Sequence, residues 1–160
     1  YRVSRTGLAG SFMKLRSSDV VVRALEDEGV RFAFGIPGTH NIELYDALEQ
    51  STQVTAVLIT DEQSAGFLAD GVSRSSSSIG VVNVVPGAGV THCLSGVAEA
   101  WMDNIPIVVL TCGIRTDTGK AYQLHDVDQL AILRRRGREG VGRRRPLLAG
   151  PIERRCEQPH

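Results

Sequence analysis

The sequence predicts an α/β domain, a parallel sheet with helices on both faces. Three observations predict it. Four short runs rich in Val, Ile and Phe stand at 31–34, 54–59, 79–85 and 107–111. Stretches with helical periodicity precede and separate them. The gaps between the runs are too long for hairpins, which leaves right-handed crossovers joining parallel strands.

In chain order, Ser17 or Ser18 can cap a first helix with Asp19 in its opening turn. Val21, Ala24, Leu25 and Glu28 follow at helical spacing, and Gly29 suits a left-handed stop. The strand at 31–34 is broken by Gly35-Ile36-Pro37-Gly38, where Pro37 fixes its own φ. Asn41 opens a second helix with Ile42, Leu44, Tyr45 and Leu48 on one stripe. After the strand at 54–59, residues 61–74 read as a helix whose apolar face is interrupted by small residues. The run at 79–85 is mostly β-branched, as a strand covered on both faces requires. Pro86–Gly89 turns into a helix at about 91–103, then come the fourth strand and a last helix at 126–133. Ligands in such sheets bind beyond the carboxyl ends of the strands. Three loops at those ends, 35–40, 60–63 and 86–92, are chemically distinctive and are expected to converge.

Composition excludes several classes. The 160 residues suit one domain, and 42% apolar content is ordinary for a globular fold. No run approaches the roughly 18 apolar residues of a membrane span. The net charge of zero conceals an asymmetry: nine of eighteen Lys and Arg lie in 134–160, leaving a net of −6 in 1–133. An acidic body argues against nucleic-acid binding. Cys93, Cys112 and Cys156 form no C-x-x-C pair, so reduced thiols in a cytoplasmic protein are expected rather than zinc or disulfides. His40, His92 and His125 have no metal-ligand spacing, so no metal site is expected on these residues alone. Residues 1–16 read as a disordered leader, with Met13 a candidate start, 17–133 as the folded domain, and 134–160 as a disordered Arg, Gly and Pro-rich tail.

Glu62 stands in the first turn of the helix after the second strand, a position that tolerates a carboxylate. On spacing alone it is an ordinary solvated glutamate. Its neighbours extend the picture: Phe34-Gly35-Ile36-Pro37-Gly38; Asp61-Glu62-Gln63 with Ala69-Asp70-Gly71-Val72-Ser73-Arg74; Val84-Val85-Pro86-Gly87-Ala88-Gly89-Val90-Thr91-His92; and Gly96-Val97-Ala98-Glu99-Ala100-Trp101-Met102-Asp103-Asn104-Ile105-Pro106-Ile107. These four segments, in this order, resemble the signatures of thiamine-diphosphate enzymes, over about 18–133. The resemblance is to the N-terminal, pyrimidine-binding domain of the acetolactate-synthase type.

The resemblance implies a thiamine-diphosphate-binding fold and a role for each loop. Glu62 would be the catalytic group, hydrogen-bonding the pyrimidine ring nitrogen so that the imino tautomer removes a proton from the reactive carbon. An apolar wall of Ile36, Phe67 and Leu68 would help the carboxyl hold a proton. Ile36, Pro37 and Gly38 would approach the pyrimidine from one side, and Gly87, Ala88, Gly89 and His92 from another. Two departures stand here: Ala88 replaces the family's usual Pro, and His92 its usual Asn. Thr111-Cys112-Gly113-Ile114 and Tyr122-Gln123-Leu124-His125-Asp126 also depart from the acetolactate-synthase pattern, leaving substrate and FAD use open.

Nothing in the chain resembles the family's diphosphate-binding domain with its Gly-Asp-Gly segment. Mg²⁺ and the diphosphate end are therefore expected on a missing domain or a partner chain. The likeness stops after Arg134, and the tail's composition suggests a frameshifted or truncated reading frame. The expected function is the pyrimidine-binding half of an enzyme acting on 2-keto acids, by carboligation or decarboxylation, inactive alone and working as a homo-oligomer or with a chain carrying the other domain. Two alternatives remain: a separately encoded decarboxylase subunit, or a non-catalytic domain that self-associates through Val97, Ala98, Trp101 and Met102. A nucleotide-binding reading of Gly87-Ala88-Gly89 lacks the third glycine of its fingerprint.

Overall fold

A computed structural model describes residues 15–114 and 125–134. The readings of 1–14, of the Tyr122-Gln123-Leu124 stretch and of 135–160 lie outside the described residues. Nine elements follow in order: α1 (Ser17–Asp27), β1 (Phe32–Gly35), α2 (Ile42–Glu49), β2 (Thr55–Leu58), α3 (Glu62–Ser75), β3 (Gly80–Val84), α4 (Ala88–Met102), β4 (Ile107–Thr111) and α5 (Gln129–Leu133). The four strands form one sheet in the order β2-β1-β3-β4, and every pair is parallel.

Alternation along the strands divides the core into two layers. Ala33, Val81 and Leu110 face α1 and α2, where they meet Val22, Leu25, Tyr45 and Leu48. Phe34, Val82, Val84 and Val109 face the other way, toward Ala65 and Ala69 of α3 and Val90, Cys93 and Ala100 of α4. Successive side chains of a strand point to opposite faces, so the near-continuous apolar run of β3 is explained by cover on both sides. The expected fold class is the one observed.

The differences from expectation sit at helix starts. α1 is capped from Arg16, not Ser17 or Ser18: the Arg16 amide and guanidinium both donate to the Asp19 carboxylate, and the same guanidinium reaches Asp46 of α2. α4 begins at Ala88, three residues earlier than its periodicity suggests, because Gly87 takes the turn itself at φ +68°. α5 is shorter than expected, with Asp128 accepting from the Ala131 amide as its cap.

The sheet order positions the site. From β1 the chain crosses outward to β2, then returns to the other side of β1 to lay down β3 and β4. Between β1 and β3 the direction of winding reverses, and a crevice opens there beyond the strand ends. The loops that border it are those after Gly35 and after Val84.

Candidate functional site

The loop after β1 is tied by a residue that sequence reasoning used only as a helix start. Asn41 is almost wholly buried. Its side-chain oxygen accepts from the Gly38 amide at 2.7 Å and its nitrogen donates to the Ile36 carbonyl at 3.2 Å. The Asn side chain thereby replaces the backbone pairing that Pro37 interrupts. The loop lies against the one after β3: a Cβ on Gly38 would come within 2.5 Å of Val85 Cγ1. Ile36 and Gly38 are half-buried and Pro37 is exposed.

The turn after β3 is held from α5. The Gly87 amide donates to Gln129 Oε1 at 3.2 Å, and Gln129 Nε2 donates to the Cys112 carbonyl at 2.9 Å. His125 Nδ1 lies 3.0 Å from the Pro86 carbonyl, and its ring meets His40 edge to face at 5.0 Å. A Cβ on Gly87 would stand 2.9 Å from His125 Cα, so both the φ and the space there require glycine. Neither Gln129 nor Asn41 carries a local signal of its role. The partners of Gln129 lie on other loops, and Asn41, although it bonds Ile36 and Gly38 close by in the chain, reads in the sequence only as a helix start.

Glu62 opens α3. Asp61 caps that helix, its carboxylate accepting from the Gln63 and Ser64 amides and from the Ser64 hydroxyl. The Ser64 hydroxyl, more than any other neighbour, holds the Asp61 carboxyl below the usual range. The Glu62 side chain is only 16% exposed. Its Oε1 lies 3.6 Å from where a Cβ on Gly89 would stand, and its Oε2 lies 2.9 Å from His92 Nδ1. His92 Nε2 points toward Asp61 Oδ1 at 3.5 Å. The hydrogen bond to Glu62 raises the His92 imidazole above its ordinary value of 6.5, with the Asp61 charge adding to it.

Glu62 also acts on two buried groups. Burial first, and then the Glu62 charge, push the Cys93 thiol up to about 12. The same two causes raise the Tyr45 phenol, whose hydroxyl donates to the Asn83 carbonyl at 3.2 Å. Both stay neutral at physiological pH.

The expected apolar wall is corrected in part. Phe67 and Leu68 are 45% and 42% exposed, because they lie on the outer face of α3, and they do not enclose Glu62. Its shelter comes from α4 instead. Gly66 and Gly96 bring α3 and α4 into backbone contact: a Cβ on Gly66 would fall 2.8 Å from the Cys93 carbonyl oxygen. At that separation the first turns of the two helices meet, and Glu62, Gly89 and His92 come together from positions far apart in sequence. Ala88 is exposed on the opening turn of α4.

The family profile described as "Thiamine pyrophosphate enzyme, N-terminal TPP binding domain" matches residues 15–132. The acetolactate synthase isozyme 3 large subunit of Escherichia coli is 38% identical over 120 residues, which cover 75% of this chain and 21% of that protein. A probable 2-ketoarginine decarboxylase of Pseudomonas aeruginosa is 41% identical over 97 residues, 61% of this chain and 17% of that protein. A chloroplastic acetolactate synthase of Arabidopsis thaliana is 38% identical over 96 residues, 60% of this chain and 14% of that protein. The chain spans about a fifth of the length of the curated relatives it matches. No helix among the described residues is long and apolar enough to cross a membrane.

Proposed function

The chain belongs to the thiamine pyrophosphate enzyme family, as its N-terminal TPP binding domain, and we propose that it forms the pyrimidine-binding half of an enzyme acting on 2-keto acids. The reaction class in this reading is carboligation or decarboxylation; an acetolactate synthase and a probable 2-ketoarginine decarboxylase are among its relatives. The diphosphate end of the coenzyme and its Mg²⁺ are held by a domain outside these 160 residues, in the same assembly.

The single observation that carries the reading is the setting of Glu62. It is a mostly buried carboxylate at a helix start, set beside Gly89 and in hydrogen-bond contact with His92 of α4. These residues fit an aminopyrimidine. A Cβ at Gly38 or Gly89 would strike Val85, so the two glycines let the loop after β1 and the start of α4 pack tightly where the crevice opens. Glu62 offers the one carboxyl needed to share a proton with a weakly basic ring nitrogen. When bound, the coenzyme supplies a nucleophilic carbon for addition to the keto group. Glu62 would hold and move the proton that this activation requires, and Ile36, Pro37 and Gly38 from one loop, with Gly87, Ala88, Gly89 and His92 from the other, would hold the pyrimidine.

Calorimetry tests the reading. Thiamine diphosphate with Mg²⁺ is titrated into the chain alone and into the chain mixed with a polypeptide carrying the diphosphate-binding domain. Tight binding and 2-keto acid turnover are expected for the mixture and negligible binding for the chain alone. Glu62→Gln in the mixture is expected to lower turnover by about 10²–10⁴-fold while the variant chain melts as the parent does. Full turnover in that variant would overturn the assignment.

A further inference from the structure

We propose that His92 relays protons between solvent and the Glu62 carboxyl, a role that rests on the reading of Glu62 given above. Three observations carry it. The two groups are in hydrogen-bond contact, with Nδ1 2.9 Å from Glu62 Oε2. The imidazole spans from shelter to water: its side chain is 55% exposed, whereas that of Glu62 is 16% exposed. Its second nitrogen points away from Glu62, toward Asp61 Oδ1 at 3.5 Å.

An imidazole can accept a proton at one nitrogen and release one from the other. The asparagine expected at this position from the family resemblance can donate and accept hydrogen bonds, but it carries no proton across. In the relay, solvent protonates Nε2, the Nδ1–H bond breaks, and an O–H bond forms at Glu62 Oε2. One proton enters and one is delivered, and the ring stays neutral overall. Run backwards, the same path takes the proton from Glu62 to water. The Asp61 carboxylate favours the incoming proton at Nε2 by its charge.

The surrounding groups leave this path to His92. From α3, the charges that act on the imidazole are Asp61 and Glu62, both carboxylates. On α4 itself, the Cys93 thiol is buried and turned back to the Val90 carbonyl, and the Thr91 hydroxyl donates to the Ala88 carbonyl. From α2, Tyr45 is occupied with the Asn83 carbonyl. Both Tyr45 and Cys93 are pushed upward by burial and by the Glu62 charge, so neither competes as a proton carrier near neutrality.

The test begins with the chain alone. Nitrogen-detected NMR follows the His92 ring against pH in the parent, in Glu62→Gln and in Asp61→Asn. The parent ring is expected to titrate above 6.5, its ordinary value, to fall back toward it in Glu62→Gln, and to fall less in Asp61→Asn. The second arm uses the assembled enzyme, in which His92→Ala is expected to lose turnover by at least about tenfold and to recover it with added imidazole. A His92 ring that titrates normally and ignores Glu62→Gln overturns the relay, as does a His92→Ala enzyme that is unimpaired or does not respond to imidazole. Failure of the coenzyme reading shows separately, as full turnover in Glu62→Gln whatever the His92 ring does.

Discussion

At the scale of single residues, Asn83 stands out beside Glu62 and His92. It lies on β3, paired with Gly35 and Leu110, and is 1% exposed. Neither its amide oxygen nor its nitrogen has a hydrogen-bond partner among the described residues. A buried amide left unpaired costs about 1–3 kcal/mol. Asn83→Leu, which keeps the shape and removes the polar atoms, is therefore expected to stabilise the chain by about 1–3 kcal/mol, read as a higher urea midpoint; a lower midpoint would show that the amide is satisfied. Gly35 beside it admits no side chain, because a Cβ there would overlap the Asn83 carbonyl. Residue-scale roles were legible in the sequence only where the residue type is itself unusual. A glycine that turns the chain or a carboxylate at a helix start can be read locally. The contact between Glu62 and His92 could not be, because it depends on how two separate helices cross.

At the scale of elements, that crossing is set by Gly66 and Gly96. A Cβ on Gly96 would overlap the Gly66 backbone, and one on Gly66 would press on the Cys93 carbonyl. Gly96→Ala must push α3 and α4 apart, and overpacking of this kind costs about 1–3 kcal/mol. The variant is expected to melt lower and to lose the coupling between Glu62 and the His92 ring in NMR; an unchanged melt would mean that the helices accommodate the methyl group. The far ends of the same helices are joined by Arg74, which meets Asp70 at 2.7 Å and Asp103 at 2.8 Å. Strand and helix order was readable from periodicity alone, and β4 falls where the sequence puts it. Helix starts were not. α1 takes an Arg–Asp pair in place of a serine cap, and α4 gains a turn because Gly87 bends the chain before Ala88.

At the scale of the whole molecule, stability should depend on pH in two directions. His92 is raised in the folded state. Its contribution is therefore full below its ordinary value of 6.5 and lost as pH rises through the folded value. Asp61 is depressed, so its contribution is present above its ordinary 3.8 and lost as pH falls through the folded value. The difference in melting temperature between the parent and His92→Asn is accordingly expected to be largest between these limits and to shrink on the alkaline side. A difference that is flat with pH would contradict the pairing. The sheet order was beyond the reach of the sequence, since periodicity says that strands are parallel but not which are neighbours. That order is what gathers the loops after β1 and β3 at one crevice.

The backbone contact between Gly66 and Gly96 also fixes a tempo. With no side chains between the two helices there, the spacing of their first turns is set by main chain and cannot breathe through rotamer changes. What can still turn there is the half-exposed imidazole of His92 once its bond to Glu62 opens, and rotations of exposed side chains run in picoseconds to nanoseconds. Departure of that ring from Glu62 is thus a fast local event, and any slow step in loading the crevice must arise from the loops that border it.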